Sequence, residues 1–166
     1  MNFAISGLNH FAWRCRNAEE TRHFYEDILG LPLVHVIKGD IVPSTGEYSP
    51  HVHIFFRMGD GSYVAFFDLG DGGVTMPDPD TPAWVNHLAL QVPTMDDLMA
   101  ARARLEAHGI AVLGPTDHHI MTSIYFFDPN GLRLELTVRT ASAAEMDQAA
   151  TEAHARLRAW TDRAEV

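Results

Sequence analysis

Cysteine is almost absent from this sequence, with Cys15 alone among 166 residues. One thiol forms no internal disulfide and no thiolate cluster, so any metal must be held by nitrogen and oxygen. Positive charge is scarce as well: Lys plus Arg number 12 against 22 Asp plus Glu, for a formal net charge of −10. That balance repels a phosphate backbone or an anionic bilayer, which argues against nucleic acid and membrane surfaces as partners. No apolar run approaches the roughly 20 residues that span a bilayer. The opening MNFAISGLNHF lacks a basic segment followed by an apolar core. The cytoplasm is therefore the expected location. What is plentiful is apolar side chain, at 46 %, and histidine, of which there are ten. The first supplies a packed interior; the second supplies nitrogen ligands and proton carriers.

The chain repeats itself. Asn9-His10-Phe11-Ala12 is echoed by Asn86-His87-Leu88-Ala89, and each copy leads into a helix start, Asn17 with Glu20 and Thr94 with Asp97. The first helix is expected through Phe24, Tyr25, Ile28 and Leu29 to Gly30, the second through Leu98, Ala101 and Leu105 to Gly109. β-branched and aromatic segments follow at 33–37, 52–58 and 63–69, then at 110–113, 122–127 and 132–138. Each half reads βαβββ. The expected architecture is α+β: a first module over residues 1–70, a Pro- and Gly-rich linker over 71–84, and a second module over 85–139. A C-terminal amphipathic helix over 140–166 starts at the Ser142/Glu145 capping box. Its row Met146, Ala149, Ala150, Ala153, Leu157 and Trp160 would pack on the body or on a second subunit.

Period-two alternation sorts the strand residues. Leu88, Leu90 and Val92 form an apolar row that wants helices, which leaves His87, Ala89 and Gln91 on the other face. Likewise Phe11, Trp13 and Cys15 oppose His10, Ala12 and Arg14, and Leu132, Leu134, Leu136 and Val138 oppose Arg133, Glu135 and Thr137. His10, His87 and Glu135 are thus expected to share one helix-free face, concave in a strongly curved sheet. The turn Asp128-Pro129-Asn130-Gly131 suits a type I turn with a G1 bulge that pairs Asp128 with Leu132, which sets Tyr125 opposite Glu135. A two-residue loop would flip Tyr125 to the other face. Two histidines and a carboxylate on three strands make an N2O set with positions left open for water, substrate or dioxygen.

These residues resemble the vicinal oxygen chelate superfamily of glyoxalase I, bleomycin- and fosfomycin-resistance proteins and type I extradiol dioxygenases. The resemblance covers roughly residues 7–138 and rests on NHFA with FYEDILGLPL, NHLALQV with its helix ending in HGI, and SIYFFDPNGLRLEL. It implies a cupped eight-stranded mixed sheet of two βαβββ modules around a metal held by His10, His87 and Glu135, and a homodimer. Aligning Gly61 with Gly131 puts Ala65 where Glu135 sits, so the fourth ligand of glyoxalase I has no counterpart. Asp68, the nearest carboxylate, is three residues on, about 10 Å along the strand. The remaining triad favours Fe(II), with Mn, Zn or Ni also possible, and resembles the extradiol enzymes, as does Tyr125 ten residues before Glu135.

That resemblance implies a catechol chelated through its vicinal oxygens, dioxygen at a neighbouring position, and ring opening through a lactone. Tyr125 would contact the substrate oxygen. One of His118, His119 or His53 would serve as acid/base. The alternatives are a glyoxalase-like lyase or isomerase, a thiol transferase using a divalent metal, or a metal-free drug-binding resistance protein. Arg14 and Gln91 could orient a polar substrate. Asp71, Asp78 and Asp80 read as turn residues.

Overall fold

A computed structural model describes residues 4–76 and 78–162. Residues 1–3, 77 and 163–166 lie outside it, and with them the first residues of module one, Pro77 of the linker and the end of the C-terminal segment. In chain order the elements are β1 (His10–Cys15), α1 (Ala18–Arg22) continuing as a π-helical stretch (His23–Ile28), β2 (Leu33–Ile41), β3 (Tyr48–Arg57) and β4 (Tyr63–Asp68), followed by β5 (Leu88–Gln91), α2 (Met95–Ala107), β6 (Leu113–Asp117), β7 (Met121–Phe127), β8 (Arg133–Arg139) and α3 (Ala143–Thr161). The eight strands divide into two mixed sheets of four, ordered β1-β4-β3-β2 and β5-β8-β7-β6. In each, the first strand runs parallel to the last and the rest pair antiparallel. This is the α+β, doubled βαβββ plan expected of the repeat.

The helices begin where the caps say. Asn17 and Thr94 accept from the backbone N–H three residues on, each satisfying an otherwise orphaned donor. The first helix changes pitch at His23: Leu29 N–H reaches the Phe24 carbonyl, a bond across five residues. Phe24, Tyr25 and Ile28 are all buried on this wide turn. The strand expected at 110–113 forms instead at Leu113–Asp117. Ile110 and Val112 pack against the core from the connection, and a short apolar run cannot by its period distinguish those two uses.

Both hairpin turns share one geometry. Gly61 N–H donates to Met58 O and Gly131 N–H to Asp128 O, with the glycines at φ +88° and +80°, a conformation that disfavours a Cβ. Asp128 N–H pairs with Leu132 O at 3.0 Å, the bulged closure expected. Module two adds a polar clamp there. The buried Asp128 carboxylate accepts from Tyr25 O–H at 3.1 Å, from Asn130 Nδ2 at 3.0 Å and from Leu132 N–H at 2.8 Å. Asn130 Nδ2 also donates to Thr21, and its Oδ1 accepts from Arg16 N–H. A hairpin of module two is thereby tied to the helix of module one. Burial raises the pKa of both Tyr25 and Asp128, so this network is held by hydrogen bonds in a place where free charge is costly.

The helix-facing rows of both sheets enter one core. Tyr25 stacks near Phe56 and Phe66 of sheet one, while Phe24 packs near Phe126 of sheet two. Leu98 and Leu105 of α2 join the same cluster, and Arg104 donates to the Asp27 carbonyl at 2.7 Å. The helices therefore sit between the sheets, and the two histidine-bearing faces are turned outward, away from each other. α3 starts at the expected capping box but buries none of its residues. No helix among the described residues is long and apolar enough to cross a membrane.

Candidate metal centre and substrate face

His87 and Glu135 meet. His87 Nε2 lies 2.9 Å from Glu135 Oε2, and the carboxylate is only 4 % exposed. His87 donates Nδ1–H to the Val85 carbonyl at 3.0 Å, which fixes the ring and leaves Nε2 facing the acid. A proton between Nε2 and Oε2, or a metal cation in its place, satisfies both groups. The donor set is therefore of the right chemistry for a divalent ion.

Tyr125 stands opposite Glu135 in the β7–β8 ladder, the register set by the Asp128 turn. Its ring is 6.2 Å from that of His87, and its hydroxyl is 2.7 Å from His118 Nε2. Burial and the neighbouring Glu135 charge raise the pKa of this phenol, which keeps it a proton donor. Arg133, two residues from Glu135, lies over the Tyr125 ring with its guanidinium carbon 4.5 Å from the centroid. Of the adjacent histidines, His118 reaches Tyr125. His119 takes φ +68° in the turn, with its N–H donating to Asp117 Oδ1 and its carbonyl accepting from Thr140.

His10 is elsewhere. It lies on sheet one, its ring 6.1 Å from His53 and 5.7 Å from Phe55, with Nδ1 held by Asn9 Oδ1 at 2.7 Å. Among the described residues no three His, Cys, Asp or Glu side chains converge as a metal site. The single concave face expected for His10, His87 and Glu135 is not formed within the described chain: His10 lies on sheet one and His87 with Glu135 on sheet two, and the shared helical core turns the two faces apart. His53 is 8 % exposed, sandwiched by Phe67 at 3.6 Å and Phe55 at 4.1 Å between ring centroids. Its Nε2 is buried without a hydrogen-bond partner. Burial, aided by His10, His51 and His35, lowers its pKa to about 4, so it is a neutral imidazole at pH 7. Cys15 is buried on the helix side with its pKa raised to about 11, an unreactive thiol.

Sequence reasoning left two contacts unread. Asp71, taken as a turn residue, does accept from Gly73 N–H, but it also reaches Arg14 Nη2 through both oxygens, at 2.6 and 2.5 Å. Alternation alone gives Arg133 a face and no partner. Its place beside Tyr125 follows from cross-strand adjacency, which the same turn register supplies one diagonal step away.

Paired βαβββ modules in two mixed four-stranded sheets, with a histidine–carboxylate couple on a helix-free face, define the class of fold. The description of the Glyoxalase/Bleomycin resistance protein/Dioxygenase superfamily matches residues 7–136, and the chain belongs to that superfamily. Biphenyl-2,3-diol 1,2-dioxygenase 3 of Rhodococcus globerulus is 28 % identical over 140 residues, 83 % of this chain and 66 % of that protein. Biphenyl-2,3-diol 1,2-dioxygenase of Paraburkholderia xenovorans (strain LB400) is 27 % identical over 131 residues, 78 % of this chain and 40 % of that protein. The chain thus spans less than two thirds of these curated relatives. The glyoxylase/bleomycin resistance protein/dioxygenase domain from Frankia sp. EAN1pec superposes with a TM-score of 0.69 at 20 % identity, covering 84 % of this chain and 96 % of that one, a likeness of fold.

Proposed function

We propose that the protein is a metal-dependent oxygenase of the extradiol type, opening the ring of a catecholic substrate with dioxygen. The observation that carries this reading is the His87–Glu135 couple, with His87 Nδ1 held by a carbonyl, directly beside Tyr125. His87, Glu135 and His10 are the proposed ligands. Fe(II) is the favoured ion, and Mn, Zn or Ni would fit the same donors. When bound, it supplies chelation of vicinal oxygens and activation of dioxygen. Tyr125 donates a hydrogen bond to a substrate oxygen, and His118 holds or takes the proton at the other side of the Tyr125 hydroxyl. The neutral His53 beside His10 is the second candidate for proton transfer.

His10 reaches the couple in a homodimer. β1 and β5 are edge strands of their sheets, and their faces carry His10 and His87. A two-fold axis that sets β1 of one copy beside β5 of another produces a continuous eight-stranded cup twice over, and joins His10 of one copy to His87 and Glu135 of the other.

The test is anaerobic loading with Fe(II), then oxygen uptake over a panel of catechols. Uptake with formation of a ring-opened product supports the reading; absence of uptake across the panel overturns it. Co-expression of His10→Ala chains with Glu135→Ala chains checks the shared site. Each mixed dimer regains one intact triad, so metal binding and activity recover to about half per mixed dimer, whereas a site within one chain recovers nothing.

A further inference from the structure

The rows that bear the candidate ligands are basic, in a chain whose net charge is −10. Strand register puts Arg14 and Arg57 on the face of His10 and His53, and Arg133 and Arg139 on the face of Glu135. Glu135 is the one carboxylate on the same rows among the described residues. In a strongly acidic protein, arginines on these sheet faces place positive charge beside the candidate ligands of each module.

Two of these arginines differ in what they hold. Arg14 is already ion-paired: Asp71 of the linker accepts from its Nη2 through both carboxylate oxygens, while Nε is buried without a hydrogen-bond partner. Arg133 is not. A guanidinium has five N–H donors, and Arg133 uses one contact, from Nη1 to the Ala83 carbonyl at 3.3 Å. Among the described residues it makes no ion pair. It is held by the Tyr125 ring beneath it, 4.5 Å from the centroid, so its free donors are presented beside the phenol that faces Glu135. Cation and phenol thus lie together on the sheet face that carries Glu135.

We propose that Arg133 is the specificity-determining residue of this site and that the substrate is an aromatic diol bearing a carboxylate on the ring. The inference rests on the reading of the Tyr125 face as the substrate face and adds its charge. The hydroxyls turn toward His87, Glu135 and the Tyr125 hydroxyl, and the ring carboxylate accepts from the free N–H donors of Arg133. This departs from the uncharged diol in the names of the curated relatives.

The experiment is calorimetric titration of the full-length, metal-loaded protein, without dioxygen, with 3,4-dihydroxybenzoate and with catechol. Wild type is expected to bind the carboxylate at least 10-fold more tightly. Arg133→Gln is expected to weaken 3,4-dihydroxybenzoate by about 10- to 100-fold and catechol by less than about 2-fold. Arg133→Lys, which keeps the charge, retains a preference for the acid and confirms that the site is assembled. Equal affinity of wild type for the two ligands overturns the proposal, as does equal weakening of both in Arg133→Gln, which would make Arg133 a support for Tyr125 only. Oxygen uptake separates the two readings: if no diol is cleaved while the Arg133-dependent preference persists, the dioxygenase reading fails and the anion site stands.

Discussion

The two modules are built on one plan and carry different chemistry. At corresponding places along their strands and turns, His10 answers His87, but Ala65 answers Glu135, Phe55 answers Tyr125, Tyr63 answers Arg133 and Met58 answers Asp128. Module two holds the carboxylate, the phenol, the unpaired guanidinium and the clamp. Module one offers His10 in a wall of rings, where His53 lies between Phe55 and Phe67. The difference shows that a shared backbone constrains positions and leaves residue chemistry free. In the proposed reading, module two is the reacting face and module one supplies a single ligand and an apolar wall.

Substitutions that exchange residues between the halves break this comparison. Glu135→Ala, which gives module two the residue of module one, is expected to abolish metal retention and lower turnover by about 1,000-fold, read by metal analysis and oxygen uptake. Asp128→Met removes the acceptor for Tyr25, Asn130 and Leu132 and strands buried donors. A loss of about 3 kcal/mol in urea unfolding is expected, and a loss below 1 kcal/mol would mean that the modules are held by apolar packing alone. Tyr125→Phe is expected to lower kcat by about 100-fold with the metal retained, whereas Phe55→Tyr in module one should change it by less than about 2-fold.

The smallest effect concerns pH. His53 is held with its pKa at about 4 in the fold against 6.5 unfolded. Between these values the unfolded chain binds more protons, so stability falls as pH falls through that window. From pH 7 to pH 5 the expected loss is about 2 kcal/mol, and His53→Phe, which keeps a ring against Phe67, should flatten the profile.

Much of this was legible in the residues. The NHFA and NHLA echoes and their caps announce two βαβββ modules, because a repeated strand-and-cap pattern must fold the same way twice. The Asp128 turn sets the partner of Tyr125, because a bulged closure fixes register for every pair behind it. Less was legible where several uses fit one pattern. The segment 110–113 reads as a strand, yet its apolar residues fill the core from a connection. Arg14 and Asp71 lie far apart in sequence, and nothing local joins a strand residue to a linker aspartate.

Within each module, the sequence by itself determined which residues share a face and which stand opposite one another, since alternation and turn geometry are local. Only the tertiary structure decided where those faces point. Phe24, Tyr25, Leu98 and Leu105 commit the helices of both modules to one core between the sheets. Burying those apolar rows together turns the face of His10 away from that of His87 and Glu135, and such a choice between packings is made by buried area across the whole molecule, which no stretch of sequence contains.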